Sequence, residues 1–350
     1  MAKTIKGKLT TIIIIIMAAA MILITAIISI IARNALNKLQ ESELQLEADK
    51  YALSINNWIN NEASLVEGTV NGIVAEQNLS PDGLLKVLDA NYKGRAELLN
   101  LYIGLKDSTF VQANREASIP DGYDPVKRGW YQQASAAGKT VVTDPYWDVL
   151  TNQMCGTIAS PVYINGELAG VVAIDMKLGT ITDLTGSINY DIGVYGFLVD
   201  AAGNYVAHKN KDFEPTQDTA TSAVAIMPAL KDMLGSEANI IVKTKDFDGT
   251  SSYFADASVE YCGWRLGVVV PSSTLIAPIR SMLIWAVLVV IIAGVLSGVL
   301  MIATIGKIMA PIQTLKQFAS GDFSENGVVE KKIPAEYKDE ADQINRSTSA

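Results

Sequence analysis

The sequence predicts an α+β protein: one long N-terminal helix carrying two antiparallel-sheet modules, bounded by two membrane-spanning helices. Three observations predict it. Two charge-free apolar runs, 9–31 and 283–305, lie toward opposite ends of the 350-residue chain. A proline-free amphipathic stretch follows the first run. After it, short apolar or alternating runs separated by turn residues recur twice in the same order.

Each apolar run is long enough to cross a hydrocarbon core of ~30 Å as a helix. The first also suits a cleaved signal peptide, but it exceeds the usual apolar length of one. An uncleaved anchor is therefore expected. Lys3, Lys6 and Lys8 precede the first run, and Lys307 and Lys316 follow the second. Both flanks read as cytoplasmic by the positive-inside rule. The flanks 1–8 and 280–350 carry a net charge of +3, and 32–279 carries −12. The expected order is a cytoplasmic N-terminus (1–8), a first span (9–31) and a long extracytoplasmic helix (32–79). A membrane-distal module (80–187), a membrane-proximal module (188–278), a second span (283–305) and a cytoplasmic tail (306–350) follow. This is a multi-pass protein of the inner (plasma) membrane with its central segment outside.

Composition excludes several functions. The chain is 49% apolar and 19% charged, with mean hydropathy +0.23, values suited to a membrane protein. With 28 basic against 37 acidic residues it has no footprint for nucleic acid. Cys155 and Cys262 are far apart and read as free, buried thiols, not a zinc or redox motif. The single histidine, His208, argues against a histidine-based triad or a multi-histidine metal centre. It reads as an ordinary surface or packed residue. No nucleophile–base pair is apparent, so neither catalysis nor a cofactor is expected.

Along the long helix Ala48, Tyr51, Ile55, Trp58, Ile59, Val66, Val70 and Ile73 recur at three- and four-residue steps. This suits a dimer seam, a spine for the modules, or both. In the distal module the strands expected are 98–105, 109–113, 141–143, 154–164 and 168–175. Asn165-Gly166 marks a type I′ hairpin. Helices are expected over 131–137 and 180–187. In the proximal module, strands 195–199 and 205–208 flank a hairpin turn at 200–204. A short helix near 227–234 and strands 240–243, 251–255 and 265–270 follow. Trp264 is expected in that module's core. Each module is a small sheet with helices beside it.

The densest functional stretch is 121–131, DGYDPVKRGWY. It gathers a guanidinium, an indole and two phenols in irregular chain. An arginine among aromatics suits a partly desolvated carboxylate site. It equally suits an aromatic corner with Arg128 in a structural salt bridge. Asp175 ends an apolar strand and needs either solvent or a cationic partner. Asp144, Trp147, Asp148 and Tyr102 are candidates for side-chain specificity, each equally suited to a structural role.

Tyr123, Arg128, Trp130 and Tyr131, followed by Tyr146 and Asp175, resemble the amino-acid-recognition motif of double-Cache receptors at the family's spacing. The span layout, the long helix and the two modules over 34–278 resemble the same family. The resemblance implies two PAS-like sheets on the long helix. It implies a free L-amino acid as ligand, its carboxylate held by Arg128 near Trp130. Tyr123, Tyr146 and Asp175 would surround its ammonium. It implies a homodimeric chemoreceptor of the methyl-accepting type, acting on downstream chemotaxis proteins through a missing cytoplasmic domain. A histidine kinase or cyclic-dinucleotide cyclase would share this front end, and a receptor for another carboxylate or amine would share the pocket.

After the second span, Ile308, Ile312, Leu315 and Ala319 lie on one helical face next to Pro311, similar to the first helix of a HAMP domain. The connector is expected over 322–337 and the second helix from Asp339 and Glu340. The chain ends at Ala350 before the apolar seam expected beyond Ile344, so a fragment is inferred. A plain juxtamembrane helix fits the same residues.

Overall fold

The structure, a computed structural model, describes residues 5–236 and 240–319. Helix α1 runs Ile5–Glu76 as one uninterrupted element, since no proline or cap residue stops it. It has two characters. Its N-terminal apolar window is unburied by the chain and apolar enough to cross a membrane. The same is true of Ser272–Met301 in the last helix, α7 (Ser272–Ala319). From Leu44 onward a stripe of Ala48, Ala52, Ile55, Ile59, Ala63, Val66 and Ile73 is buried. It faces this chain's own modules, where Tyr51, Trp58 and Val70 pack beside it. The spine reading is thus satisfied within one chain. Residues 38–276 form one compact unit that holds both modules.

Helix α2 (Pro81–Tyr92) starts at a strong stop–start signal. Ser80 caps it, its hydroxyl accepting from Gly83 N, and Pro81 occupies the first turn. The distal sheet follows: β1 (Leu98–Leu105), β2 (Phe110–Gln112), β3 (Val141–Val142), β4 (Tyr146–Asp148), β5 (Gln153–Ile164) and β6 (Glu167–Lys177). Its order is β2-β1-β6-β5-β3, and β4 also pairs with β5. Helix α3 (Gly129–Ala137) precedes β3, and α4 (Leu178–Gly186) closes the module. Asn165 and Gly166 both have positive φ, +53° and +84°, as the expected hairpin turn requires.

Side chains alternate across this sheet. Leu101, Ile103, Ile158, Val172 and Ile174 join the large core with α1. Tyr102, Ala159, Val171 and Ala173 face the other way and pack on Trp130, Tyr131 and Ala134. Both faces are covered, so β1 is buried throughout.

The proximal sheet repeats the plan with β7 (Tyr195–Val199), β8 (Tyr205–Ala207), β9 (Val242–Lys245), β10 (Ser251–Val259) and β11 (Trp264–Pro271), ordered β8-β7-β11-β10-β9. Three expectations change here. The single helix near 227–234 is three short pieces: α5 (Ala223–Ile226), a 3₁₀ turn Pro228–Leu230 and α6 (Lys231–Leu234). Pro228 cannot donate a helical hydrogen bond, and it restarts the chain. Strand β9 lies two residues later than expected, because the tight turn from Asp246 to Thr250 sets its register against β10. Trp264 belongs to the large core shared with α1 and the distal sheet. A side chain at Gly156 of β5 would meet its Cη2 at 3.7 Å.

Both cysteines are free; Cys155 is buried, whereas Cys262 is only half-buried. His208 is a packed core residue among Tyr195, Tyr205, Phe213 and Phe247. Its Nδ1 accepts from Asn210 N at 2.8 Å, and burial lowers its pKa to about 4, leaving it neutral. The first expected HAMP helix falls within α7; the connector and the second helix lie outside the described residues.

Candidate functional site

The aromatic loop is fastened to the sheet before it reaches Arg128. Asp124 accepts from Ser108 Oγ at 2.9 Å and Val126 N at 3.3 Å, and Lys127 pairs with it at 3.1 Å. Pro125 then opens a 3₁₀ turn, Pro125–Lys127, and is buried against β1. That close approach depends on Gly104: a Cβ there would stand 2.6 Å from Pro125 Cβ and 3.1 Å from Trp130 Cη2. Arg128 lies between the 3₁₀ turn and α3 with extended backbone, φ −82° and ψ 146°.

The rings form a continuous chain. Tyr102 meets Phe110 at 5.3 Å and Trp130 at 5.0 Å between centroids. Phe110 meets Tyr123 at 4.9 Å, and Trp130 meets Tyr131 at 5.7 Å. The Arg128 guanidinium sits 5.5 Å from the Tyr123 centroid, within cation–π range. It forms no salt bridge among the described residues, so the aromatic-corner alternative keeps its rings but loses its ion pair. Burial holds the Tyr123 phenol well above its usual pKa, against the pull of Arg128.

Asp175 supplies the opposite charge. It lies on β6, directly opposite Thr157 of β5, and is 0% exposed. Its Oδ1 accepts from the Thr157 hydroxyl at 2.5 Å and the Tyr102 hydroxyl at 2.7 Å. The Thr157 hydroxyl hydrogen is engaged with Asp175, so the Thr157 oxygen accepts from the Tyr146 hydroxyl, at 2.7 Å. The Tyr146 oxygen also stands 3.5 Å from Asp175 Oδ1. Oδ2 is buried with no hydrogen-bond partner among the described residues. A carboxylate oxygen in that state is costly unless a cation reaches it. Burial first, then the charge of Asp148, raises the Asp175 pKa to about 7.

A cleft of ≈ 370 Å³ opens beside this network, lined by Arg128, Gly129, Trp130, Gln133, Thr143, Asp144, Pro145 and Tyr146. Of the six residues singled out by the motif, Arg128, Trp130 and Tyr146 line it. Asp175 lies behind Tyr146, and Tyr123 backs Arg128. Tyr131 is 6% exposed and belongs to the aromatic core instead of the cleft wall. Among the unassigned candidates, Tyr102 hydrogen-bonds Asp175 and Asp144 is at the cleft. Asp148 is occupied with the turn after β4, accepting from Thr151 N at 2.8 Å and Thr151 Oγ1 at 2.6 Å. Sequence reasoning missed Thr157, Thr143 and Gln133. Thr157 was within reach through hairpin register, which places it across from Asp175 only after a bulge between Val162 and Tyr163. Among the described residues, no three His, Cys, Asp or Glu side chains are placed to hold a metal ion.

The Cache domain family dCache_1 matches residues 32–279, about the whole of both modules and the helix that carries them. The chain belongs to the Cache family. Relatives of the Cache region extend beyond it. The methyl-accepting chemotaxis protein McpA of Pseudomonas putida is 28% identical over 324 residues, covering 90% of this chain and 48% of McpA. PctB of Pseudomonas aeruginosa, of the same class, is 25% identical over 335 residues, covering 91% and 51%. The chain thus spans about half the length of these relatives. The solved ligand-binding domain of PctB in complex with L-Arg superposes with a TM-score of 0.58 at 25% identity, over 67% of this chain and 96% of that one. The ligand-binding domain of the Pseudomonas fluorescens chemoreceptor CtaA, in complex with L-isoleucine, has a TM-score of 0.60 at 24% identity, over 70% and 98%. It shares the Cache fold.

Proposed function

We propose that the chain is the sensory half of a membrane chemoreceptor that binds a free L-α-amino acid in the distal Cache module. One observation carries the ligand class: Asp175 Oδ2 is a buried carboxylate oxygen without a hydrogen-bond partner among the described residues, behind a cleft whose rim bears Arg128. A zwitterion has both charges such a site lacks. The guanidinium binds the α-carboxylate through two parallel hydrogen bonds, and the Tyr123 ring holds its plane. Trp130 excludes water, which strengthens the pair. The α-ammonium meets Asp175, whose Oδ1 is already fixed by Thr157 and Tyr102, so only Oδ2 is left to accept it. The amino-acid ligands of PctB and CtaA support this reading.

Two spans would place the module outside the inner membrane and leave a cytoplasmic tail beginning with a HAMP helix. The receptor would work as a homodimer and act on chemotaxis signalling proteins rather than catalyse a reaction. Signal leaves by connectivity: β11 passes through Pro271 directly into α7. Ligand can shift that element only through contacts that differ between bound and free states.

Thermal unfolding of the full chain in detergent, against the common L-amino acids, tests the proposal. Some amino acids should raise the midpoint by mass action, and the Arg128→Ala chain should lose that shift. Stabilisation by simple carboxylates and amines as strong as by amino acids would overturn it.

A further inference from the structure

The cleft has one charge more than the backbone of an amino acid needs. Arg128 answers the α-carboxylate and Asp175 the α-ammonium. Asp144 remains: it is exposed, lies in the cleft lining, and forms no ion pair among the described residues. Its Oδ1 accepts one long hydrogen bond, from Ala201 N at 3.4 Å, in the turn between β7 and β8 of the proximal module. Next to that nitrogen is Asp200, whose own oxygens are turned toward Asn204, accepting from its N at 2.8 Å and its Nδ2 at 3.3 Å. Asp200 is raised in pKa mainly by burial, and the charge of Asp144 adds to the rise. Two carboxylates, one from each module, therefore approach each other beside the cleft, Asp144 within its lining and Asp200 behind it, and among the described residues neither is paired with a cationic side chain.

We propose that Asp144 makes this cleft selective for an amino acid with a cationic side chain. The inference rests on the amino-acid reading of the same site. A guanidinium or ammonium reaching the rim offsets the repulsion between Asp144 and Asp200 and gains a charged hydrogen bond. A neutral side chain leaves that repulsion in place, and an acidic one adds a third negative charge. The neighbouring Gln133 and Thr143 supply polar edges without adding charge.

The test is calorimetric titration of the full chain in detergent with L-arginine and with L-citrulline, a near-isostere lacking the charge. L-Arginine should bind about fivefold more tightly or better, a modest factor because the rim is solvent-screened. The preference should shrink with added salt. In Asp144→Asn the arginine-to-citrulline ratio should fall toward one. In Asp144→Lys the order should turn in favour of L-glutamate. Equal affinities in the unaltered chain, or a ratio unmoved by Asp144→Asn, overturn the inference while leaving an amino-acid site standing. Failure of every amino acid to bind overturns both.

Discussion

Thr157 and Asp175 stand opposite each other on neighbouring strands, and the threonine hydroxyl donates to Asp175 Oδ1 at 2.5 Å. With Tyr102 on the same oxygen, the carboxylate is pinned by one atom and bare at the other. A group held this way cannot turn to satisfy itself. Thr157→Val should therefore weaken amino-acid binding even though Thr157 lies outside the cleft wall. It removes a fixed donor and leaves Tyr146 without its acceptor, so a loss of roughly tenfold is expected, for a hydrogen bond to a charged group. Titration of the variant checks it; Thr157→Ser, which keeps the hydroxyl, should bind nearly as the unaltered chain does.

The carboxylate must be ionised to accept an ammonium, and burial pushes its pKa up to about 7. Facing it are Asp148, Tyr102, Tyr146, Cys155 and Thr157; none carries a positive charge. Affinity should fall as pH drops below 7. Binding near pH 6.5 should release protons, seen as a buffer-dependent heat of binding. Asp175→Asn should flatten this dependence and weaken amino acids and amines alike, while simple carboxylates keep their affinity through Arg128.

The same shift fixes the sign of a stability effect. The folded pKa of Asp175 is above its unfolded value, so between about pH 4 and 7 the folded state binds the extra proton. Stability from this group is then lost as pH rises through that window. The loss is on the order of 4 kcal/mol, for a fully buried carboxyl whose pKa is pushed up to about 7. Without ligand, Asp175→Asn should melt higher than the unaltered chain at pH 8, and by less than half as much at pH 5. Melting curves at the two values decide the matter.

Arg128 makes no salt bridge among the described residues, so Arg128→Ala should leave the fold intact and cost more than tenfold in amino-acid affinity. Breaking a partly desolvated charge pair commonly costs more than the ~1.4 kcal/mol that a factor of ten represents. Arg128→Lys should recover only part, because an ammonium lacks the two parallel donors. Unchanged melting with weakened titration is the expected pattern.

Much of this was legible in the residues. Strands 98–105 and 195–199 matched β1 and β7 because apolar runs bounded by turns admit few alternatives. Asn165-Gly166 gave the hairpin because both positions need positive φ. The loop 121–131 stood out as a candidate site from its unusual mixture of charge and rings. Thr157 was hidden by one bulge, which shifts register by a residue and exchanges Gly156 for Thr157 opposite Asp175. Tyr131 packs in the aromatic core beside Trp130 and, unlike Trp130, does not line the cleft. Asp144 and Asp148 were indistinguishable by sequence; only the turn at Thr151 separates the occupied carboxylate from the open one.

Gly104 links the scaffold to the site most directly. It lies on β1 where Pro125 and Trp130 press against the strand, and a Cβ would enter to 2.6 Å of one and 3.1 Å of the other. Neither neighbour can yield by rotating a flexible side chain: Pro125 is fixed in its ring, and Trp130 is wedged against Tyr102 and Tyr131. Overpacking of this kind costs ~1–3 kcal/mol. The strain falls on the segment that presents Arg128. Gly104→Ala should therefore lower the melting midpoint modestly and weaken the ligand's binding more than the melting change alone explains. Gly267→Ala is the comparison. There a Cβ would meet the Phe197 ring at 2.1 Å, in the proximal module and away from the cleft. It should destabilise the chain without altering affinity in the fraction that stays folded. If the two glycine variants weakened binding equally, the loop would not depend on its seat against β1.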